Sequence, residues 1–148
     1  RKAAREDGKI VVEEGICGQE VEVAVLGNRD AQASLVGEIG ASAQFYDYDD
    51  KYINGTSQLY IPARIPEEVS EKIRQTAVRA YRLLGCSGLA RVDFFVTEGD
   101  HRVILNEINT LPGFTSISMY PKLWMEWGMT YSQLLDQLVE LAFAKAVQ

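Results

Sequence analysis

Between Leu89 and Ile108 apolar and polar residues run on either side of a short turn at Glu98-Gly99-Asp100, which commits the middle of the chain to a β-hairpin. Side chains alternate faces along a strand. Arg91, Asp93 and Phe95 therefore share one face, and Leu105, Glu107 and Asn109 share one face of the partner strand. A three-residue loop pairs Thr97 with His101, hence Asp93 with Leu105 and Arg91 with Glu107, and puts all six on one side. A two-residue loop puts them on opposite sides. An arginine, two carboxylates and an amide aimed at one point have the chemistry of a magnesium phosphate site, so that chemistry predicts the odd-length loop.

Asp93, Glu107 and Asn109 offer the hard oxygen ligands that magnesium takes alongside phosphate oxygens and water. Arg91, always charged and fork-shaped, suits a phosphate or the charge of a transition state. The competing reading is an arginine–carboxylate pair on an exposed sheet face, which contributes little. The run that follows, Asn109-Thr110-Leu111-Pro112-Gly113-Phe114-Thr115-Ser116, favours the site. It is a rigid but permissive loop ending near a helix start, and its amides can bind an oxyanion or a carboxylate. His101 reads as an exposed turn residue. Glu13, Glu14 and Glu20 taken alone read as surface charge, and no GxxxxGK[ST] phosphate loop is present.

The rest of the chain frames that hairpin. Ile10–Glu13 and Glu20–Leu26 read as strands, with a shorter one at Ser34–Gly37. Phe45 to Thr56, aromatic and acidic without a period, reads as a long loop of the kind that serves as a lid. Pro66 at a first helical position, Glu67 and Glu68, and Val69, Ile73, Ala77, Ala80, Tyr81 and Leu84 at helical spacing predict a helix ending before Gly85, with Lys72, Arg74, Arg79 and Arg82 on its wet face. A short helix is expected at Tyr120–Trp127, where Trp124 and Trp127 pack. A last helix starts at Thr130, capped by Gln133, with Leu134, Leu135, Leu138, Leu141 and Ala142 inward. Strands with segregated helices make this an α+β domain.

With 148 residues, 47% of them hydrophobic, the chain can bury a sizeable core, and a net charge of -6 without a basic run gives no reason to expect nucleic acid or an anionic membrane as partner. No apolar run reaches the roughly 20 residues of a membrane span. Cys17 and Cys86 are expected to be reduced, semi-buried thiols, which fits a cytoplasmic protein. The chain opens Arg1-Lys2-Ala3 rather than with Met, and so reads as a fragment.

Three runs carry a resemblance to a known family: Gly88-Leu89-Ala90-Arg91-Val92-Asp93-Phe94-Phe95, Leu105-Asn106-Glu107-Ile108-Asn109-Thr110-Leu111-Pro112-Gly113-Phe114-Thr115, and Ser118-Met119-Tyr120-Pro121. Together they resemble the carboxy-terminal catalytic region of the D-alanine:D-alanine ligases, members of the ATP-grasp superfamily. The Asn-Thr-Leu-Pro-Gly-Phe-Thr run is quite specific, whereas the Asp…Glu-x-Asn triplet is shared across ATP-grasp enzymes. The resemblance implies a carboxy-terminal ATP-grasp subdomain, a largely antiparallel sheet flanked by helices. Part of a nucleotide hinge would lie at 10–27, an omega loop at about 44–60, the metal-site hairpin at 88–109 and an acceptor loop at 110–119.

For the residues, the resemblance implies that Asp93, Glu107 and Asn109 bind two magnesium ions, with manganese an alternative, bridging the phosphates of ATP. Arg91 would stabilise the transferring phosphoryl group and the Gly113 amide an oxyanion. Ser118 would hold the carboxylate of the second D-alanine, with Met119 and Tyr52 also at that substrate. Glu13, Glu14 and Ile16 would face adenine, Glu20 the ribose, and Phe45, Phe95 and Leu105 the base, while Lys51 would approach the phosphates.

The implied activity is ATP-dependent joining of two D-alanines for peptidoglycan precursors, by a full-length protein that forms homodimers. The tyrosine at position 52 goes with amino acceptors, which leaves D-serine open. A preceding substrate domain and a glycine-rich phosphate loop are not in these residues, so the isolated chain is expected to be inactive. The other readings are another ATP-grasp carboxylate:amine ligase, and a non-catalytic magnesium–nucleotide-binding fragment.

Overall fold

The computed structural model describes residues 3–40 and 58–146. Five antiparallel strands form a single sheet in the order β3-β2-β1-β4-β5: β1 (Gly18–Gly27), β2 (Gln32–Gly40), β3 (Gln58–Tyr60), β4 (Gly88–Thr97) and β5 (Val103–Asn109). One face carries α1 (Glu67–Leu83), and the other carries α2 (Met119–Glu126) and α3 (Tyr131–Ala146). The α+β expectation holds.

The central strand shows why the sheet needs helices on both sides. Val21, Val23 and Val25 of β1 pack with Ala90, Val92, Phe94 and Val96 of β4 against Val69, Ile73, Ala77 and Tyr81 of α1. Ala24 and Leu26, on the opposite face, pack against Met119, Tyr120, Leu123 and Trp124 of α2 and Leu134 of α3. That second face is apolar only from Ala24 onward; upstream it carries Glu20 and Glu22. Helix cover on this side thus coincides with the point where the strand stops alternating and becomes continuously apolar.

Tyrosines fix β1 from both sides. The Tyr81 hydroxyl donates to the Gly27 carbonyl at 2.8 Å and the Tyr120 hydroxyl to the Val25 carbonyl at 3.0 Å. Burial pushes both phenols well above the usual tyrosine range, so both remain donors.

The helix signals translate with small shifts. Pro66 is the N-cap rather than the first helical residue, and its carbonyl accepts from the Val69 and Ser70 amides. The helix ends in a Schellman arrangement: Gly85 has φ +66, its amide donates to Arg82, and the Cys86 amide donates to Tyr81. Leu84, expected to point inward, falls at this C-cap and is exposed. Arg74 leaves the wet face, donating to the Ser34 and Ala33 carbonyls of β2 with its guanidinium 4.9 Å from the ring centre of Trp127. Trp127 is half-exposed and only Trp124 is core.

The capping box before α3 is reciprocal. The Thr130 amide donates to Gln133 Oε1 at 2.8 Å, and the Gln133 amide to Thr130 Oγ1 at 3.2 Å. Only a narrow stripe of that helix is covered: Leu134 is buried and Leu138 and Leu141 pack against the core, whereas Leu135 and Ala142 are exposed.

Three further expectations are corrected or fall outside the described residues. Ile10–Glu13 is not a strand: both edges of β1 are taken by β2 and β4, and the segment pairs with no described strand, so Ile10, Val11 and Val12 are exposed. The Phe45–Thr56 loop lies outside the described residues. Cys86 is half-buried as expected but Cys17 is exposed, and both are free.

On β2, the buried Glu38 carboxylate accepts from the Arg64 backbone amide at 3.0 Å and from its Nε and Nη2 at 3.1 and 2.6 Å. The Arg64 bonds hold the Glu38 carboxyl below its ordinary value of 4.5 despite burial. A carboxyl lowered on folding contributes stability that is complete above 4.5 and is lost as pH falls through the lower folded value. Glu38→Gln is therefore expected to reduce stability at neutral pH and to flatten the loss of stability as pH falls below 4.5. Denaturation midpoints against pH check this, and an unchanged acid limb would contradict it.

Candidate active site

The β4–β5 hairpin closes differently from the expected three-residue loop. The Thr97 amide donates to the Arg102 carbonyl at 3.1 Å, which makes Glu98–His101 a four-residue loop, with His101 exposed at φ +48. Within the loop the Thr97 hydroxyl donates to the Asp100 carboxylate and holds its carboxyl below the usual range. An even-numbered loop pairs Val96 with Val103, Phe95 with Ile104 and Phe94 with Leu105. Continued unchanged, that register would send Asp93 and Glu107 to opposite faces. A bulge at Asn106 supplies the odd residue, so Asp93 stands opposite Glu107 and Arg91 opposite Asn109.

Rows of side chains then cross the sheet. Glu22, Asp93 and Glu107 form one row over β1, β4 and β5, and Ala24, Arg91 and Asn109 form the next. On the other side of the carboxylates Glu20 is opposite Phe95. Leu105, expected on this face, pairs with the core residue Phe94 because of the four-residue loop and is half-exposed.

Arg91 organises the rows. Its Nε donates to Asp93 Oδ1 at 2.8 Å and its Nη2 to Oδ2 at 2.7 Å, while Glu22 Oε2 lies 3.2 Å from Nε and Glu107 Oε1 3.9 Å from Nη2. The arginine side chain is 13% exposed, Glu22 2% and Asp93 4%, against 61% for Glu107. Burial opposes the arginine's charge, but the Asp93 hydrogen bonds and the charges of Glu22, Asp93 and Glu107 outweigh it and raise its pKa further. The guanidinium is permanently charged.

Among the described residues no three His, Cys, Asp or Glu side chains come together as a ready metal ligand set. The carboxylates nevertheless fit a divalent cation. Among the described residues Glu22, Asp93 and Glu107 gather three carboxylates around Arg91, and their oxygens are hard donors. Asp93 is engaged with Arg91, and Asn109 Oδ1 accepts from the Leu111 amide at 3.1 Å, opening the loop that follows.

That loop is anchored on the helices. Phe114 packs on Tyr120 and Tyr131 with ring centres 5.4 and 5.9 Å apart, and the Tyr131 hydroxyl donates to the Phe114 carbonyl at 3.2 Å. Ser118 Oγ accepts from the Thr115 amide at 3.0 Å and lies 2.9 Å from the Thr115 hydroxyl. A Cβ on Gly113 would stand 2.8 Å from Ser118 Oγ, so only glycine lets the two residues approach this closely.

The other sequence candidates scatter. Glu13 and Glu14 are exposed and Ile16 half-buried in the unpaired segment before β1. Phe45, Lys51 and Tyr52 lie outside the described residues. Met119, expected at the substrate, is 6% exposed and packs in the core, where a Cβ on Gly37 would lie 3.0 Å from its sulfur. The residue missed was Glu22. Its signal was present, because alternation places it on the same face as Glu20, but a glutamate at a polar position of a strand reads first as solvated.

The family model described as "D-ala D-ala ligase C-terminus" matches residues 1–140. A D-alanine--D-alanine ligase of Acetivibrio thermocellus is 59% identical over 140 residues, covering 95% of this chain and 37% of the relative. D-alanine--D-alanine ligase A of Salmonella typhimurium is 56% identical, covering 94% and 38%. Among solved structures, the VanG D-Ala:D-Ser ligase of Enterococcus faecalis superposes with a TM-score of 0.76 at 46% identity, over 87% of this chain and 37% of that one. The D-alanine--D-alanine ligase of Bacillus anthracis complexed with ATP gives 0.72 at 28% identity, over 89% and 40%. The chain thus spans about two fifths of the length of these proteins or slightly less.

Removing the arginine should expose the cost of its surroundings. Arg91→Ala leaves the Glu22 and Asp93 carboxylates buried and facing one another, with an expected loss of about 3 kcal/mol in urea unfolding. A loss under about 0.5 kcal/mol would mean that the carboxylates find water or another partner.

Proposed function

The chain belongs to the D-ala D-ala ligase C-terminus family, and we propose that it is the catalytic portion of an ATP-dependent ligase. That enzyme joins two D-alanines through a D-alanyl phosphate, for peptidoglycan precursor synthesis in the cytoplasm. The observation that carries this reading is the placement of two parts on one side of the sheet: a buried arginine among carboxylates, and the Gly113–Ser118 loop anchored beside the helices. The first suits phosphoryl chemistry, the second acyl chemistry. No helix among the described residues is long and apolar enough to cross a membrane.

Asp93, Glu107 and Asn109 hold magnesium, which when bound neutralises charge on the phosphates of ATP. Arg91 stabilises the phosphoryl group as it moves from ATP to the carboxylate of the first D-alanine. The Gly113 amide donates to the oxyanion formed when the amine of the second D-alanine attacks the acyl phosphate and phosphate leaves. Ser118 holds the carboxylate of that second D-alanine, and its bonds to Thr115 keep the hydroxyl in place beforehand. Glu20 meets the ribose and Phe95 the base, a role supported by their adjacency across β1 and β4. By the family likeness Lys51 is assigned to the phosphates, Tyr52 to the second D-alanine and Phe45 to the base. The likeness to a D-Ala:D-Ser ligase keeps D-serine as the second acceptor to test.

The full-length protein is expected to release phosphate and form D-alanyl-D-alanine from ATP, magnesium and D-alanine, and to prefer amino acceptors to D-lactate. The 148-residue chain alone is expected to form none. Gly113→Ala forces Ser118 aside and should cut kcat/KM for the second D-alanine by about 100-fold, on the scale of a lost oxyanion or acceptor contact. A preference for D-lactate, or an unaffected Gly113→Ala variant, would overturn these assignments.

A further inference from the structure

Glu22 stands behind the site, not at its mouth. It is 2% exposed where Glu107, at the other end of the same row, is 61% exposed, so a cation arriving from solvent meets Glu107 first, and Asp93 stands between the two. A carboxylate buried to this degree is tolerated only with a charged partner, and Arg91 Nε lies 3.2 Å away. In the structure both hydrogen bonds of the Arg91 fork go to Asp93. If Asp93 is to ligate magnesium, as the proposed function has it, Asp93 must give up part of that fork. Arg91 then needs an anion that the cation does not claim.

We propose that Glu22 is a positioning residue: it retains Arg91 on the sheet while Asp93 exchanges the guanidinium for the divalent cation. The row geometry supports the exchange. Glu22 and Asp93 are direct cross-strand partners, a separation at which an arginine one row away reaches either with a small rotation. Glu22 touches no reacting atom in this account. Its effect runs through Arg91, whose guanidinium must stay near the phosphates after losing its present partner. Without Glu22, Arg91 remains on Asp93 and competes with the cation.

The test rests on the ligase reading but reads metal dependence rather than turnover. In the full-length protein, magnesium is titrated at fixed ADP and binding is followed by calorimetry for wild type, Glu22→Gln, Arg91→Met and the double variant, each first shown to be folded by thermal melting. Where Arg91→Met does not fold, Arg91→Lys, which lacks the fork, replaces it. Glu22→Gln is expected to raise the magnesium concentration for half-maximal binding about tenfold, and by less than about twofold in the Arg91 variant background, as coupled residues require. An equal effect in both backgrounds would make Glu22 a plain attractor of cations and overturn the proposal, as would no effect at all. Failure of the ligase reading shows separately, as magnesium-dependent ADP binding without dipeptide formation. Absence of that binding in wild type would overturn both.

Discussion

The structure depends on one buried guanidinium. Arg91 lets Glu22 and Asp93, directly paired across β1 and β4, be withdrawn from water on the same face. Two facing buried carboxylates without it would repel each other and forfeit hydration, a cost of several kcal/mol per ion. Among the described residues three carboxylates, Glu107 included, gather around this one guanidinium. Such a cluster of hard oxygen donors is suited to a cation that arrives with its own phosphates.

The fold confines this cluster to part of one face. Helices α2 and α3 cover the sheet from Ala24 onward, and α1 covers the opposite face, so among the described residues the region without helix cover is the end of β1 and β4 that bears charge. The loop from Asn109 to Ser118 joins β5 to α2 and so leads from the carboxylate rows to the helices. Its contacts with Tyr120 and Tyr131 tie its position to the same core that supports β1. Packing of the core and placement of the chemistry are therefore not separable in this chain.

Much of this was legible in the sequence. The amphipathic period of α1, the capping box of α3 and the Arg91–Asp93 alternation each carry a local physical signal that tertiary contacts did not override. What could not be read was nonlocal. The hairpin needed opposing carboxylates, and a bulge at Asn106 achieved the parity assigned to the turn; no residue type announces a bulge there. Glu22 looked like surface because its burial depends on an arginine 69 residues later in the chain. Ile10–Glu13 looked like a strand because β-branched composition records a preference and not the presence of a free sheet edge.

The central claim is that phosphoryl transfer to a carboxylate precedes attack by an amine on this face. It is tested most directly by giving the full-length protein ATP, magnesium and D-alanine carrying heavy oxygen in its carboxylate. An acyl phosphate makes one carboxylate oxygen leave with the phosphoryl group, so the released phosphate should carry the label. Dipeptide formed with unlabelled phosphate would contradict the account.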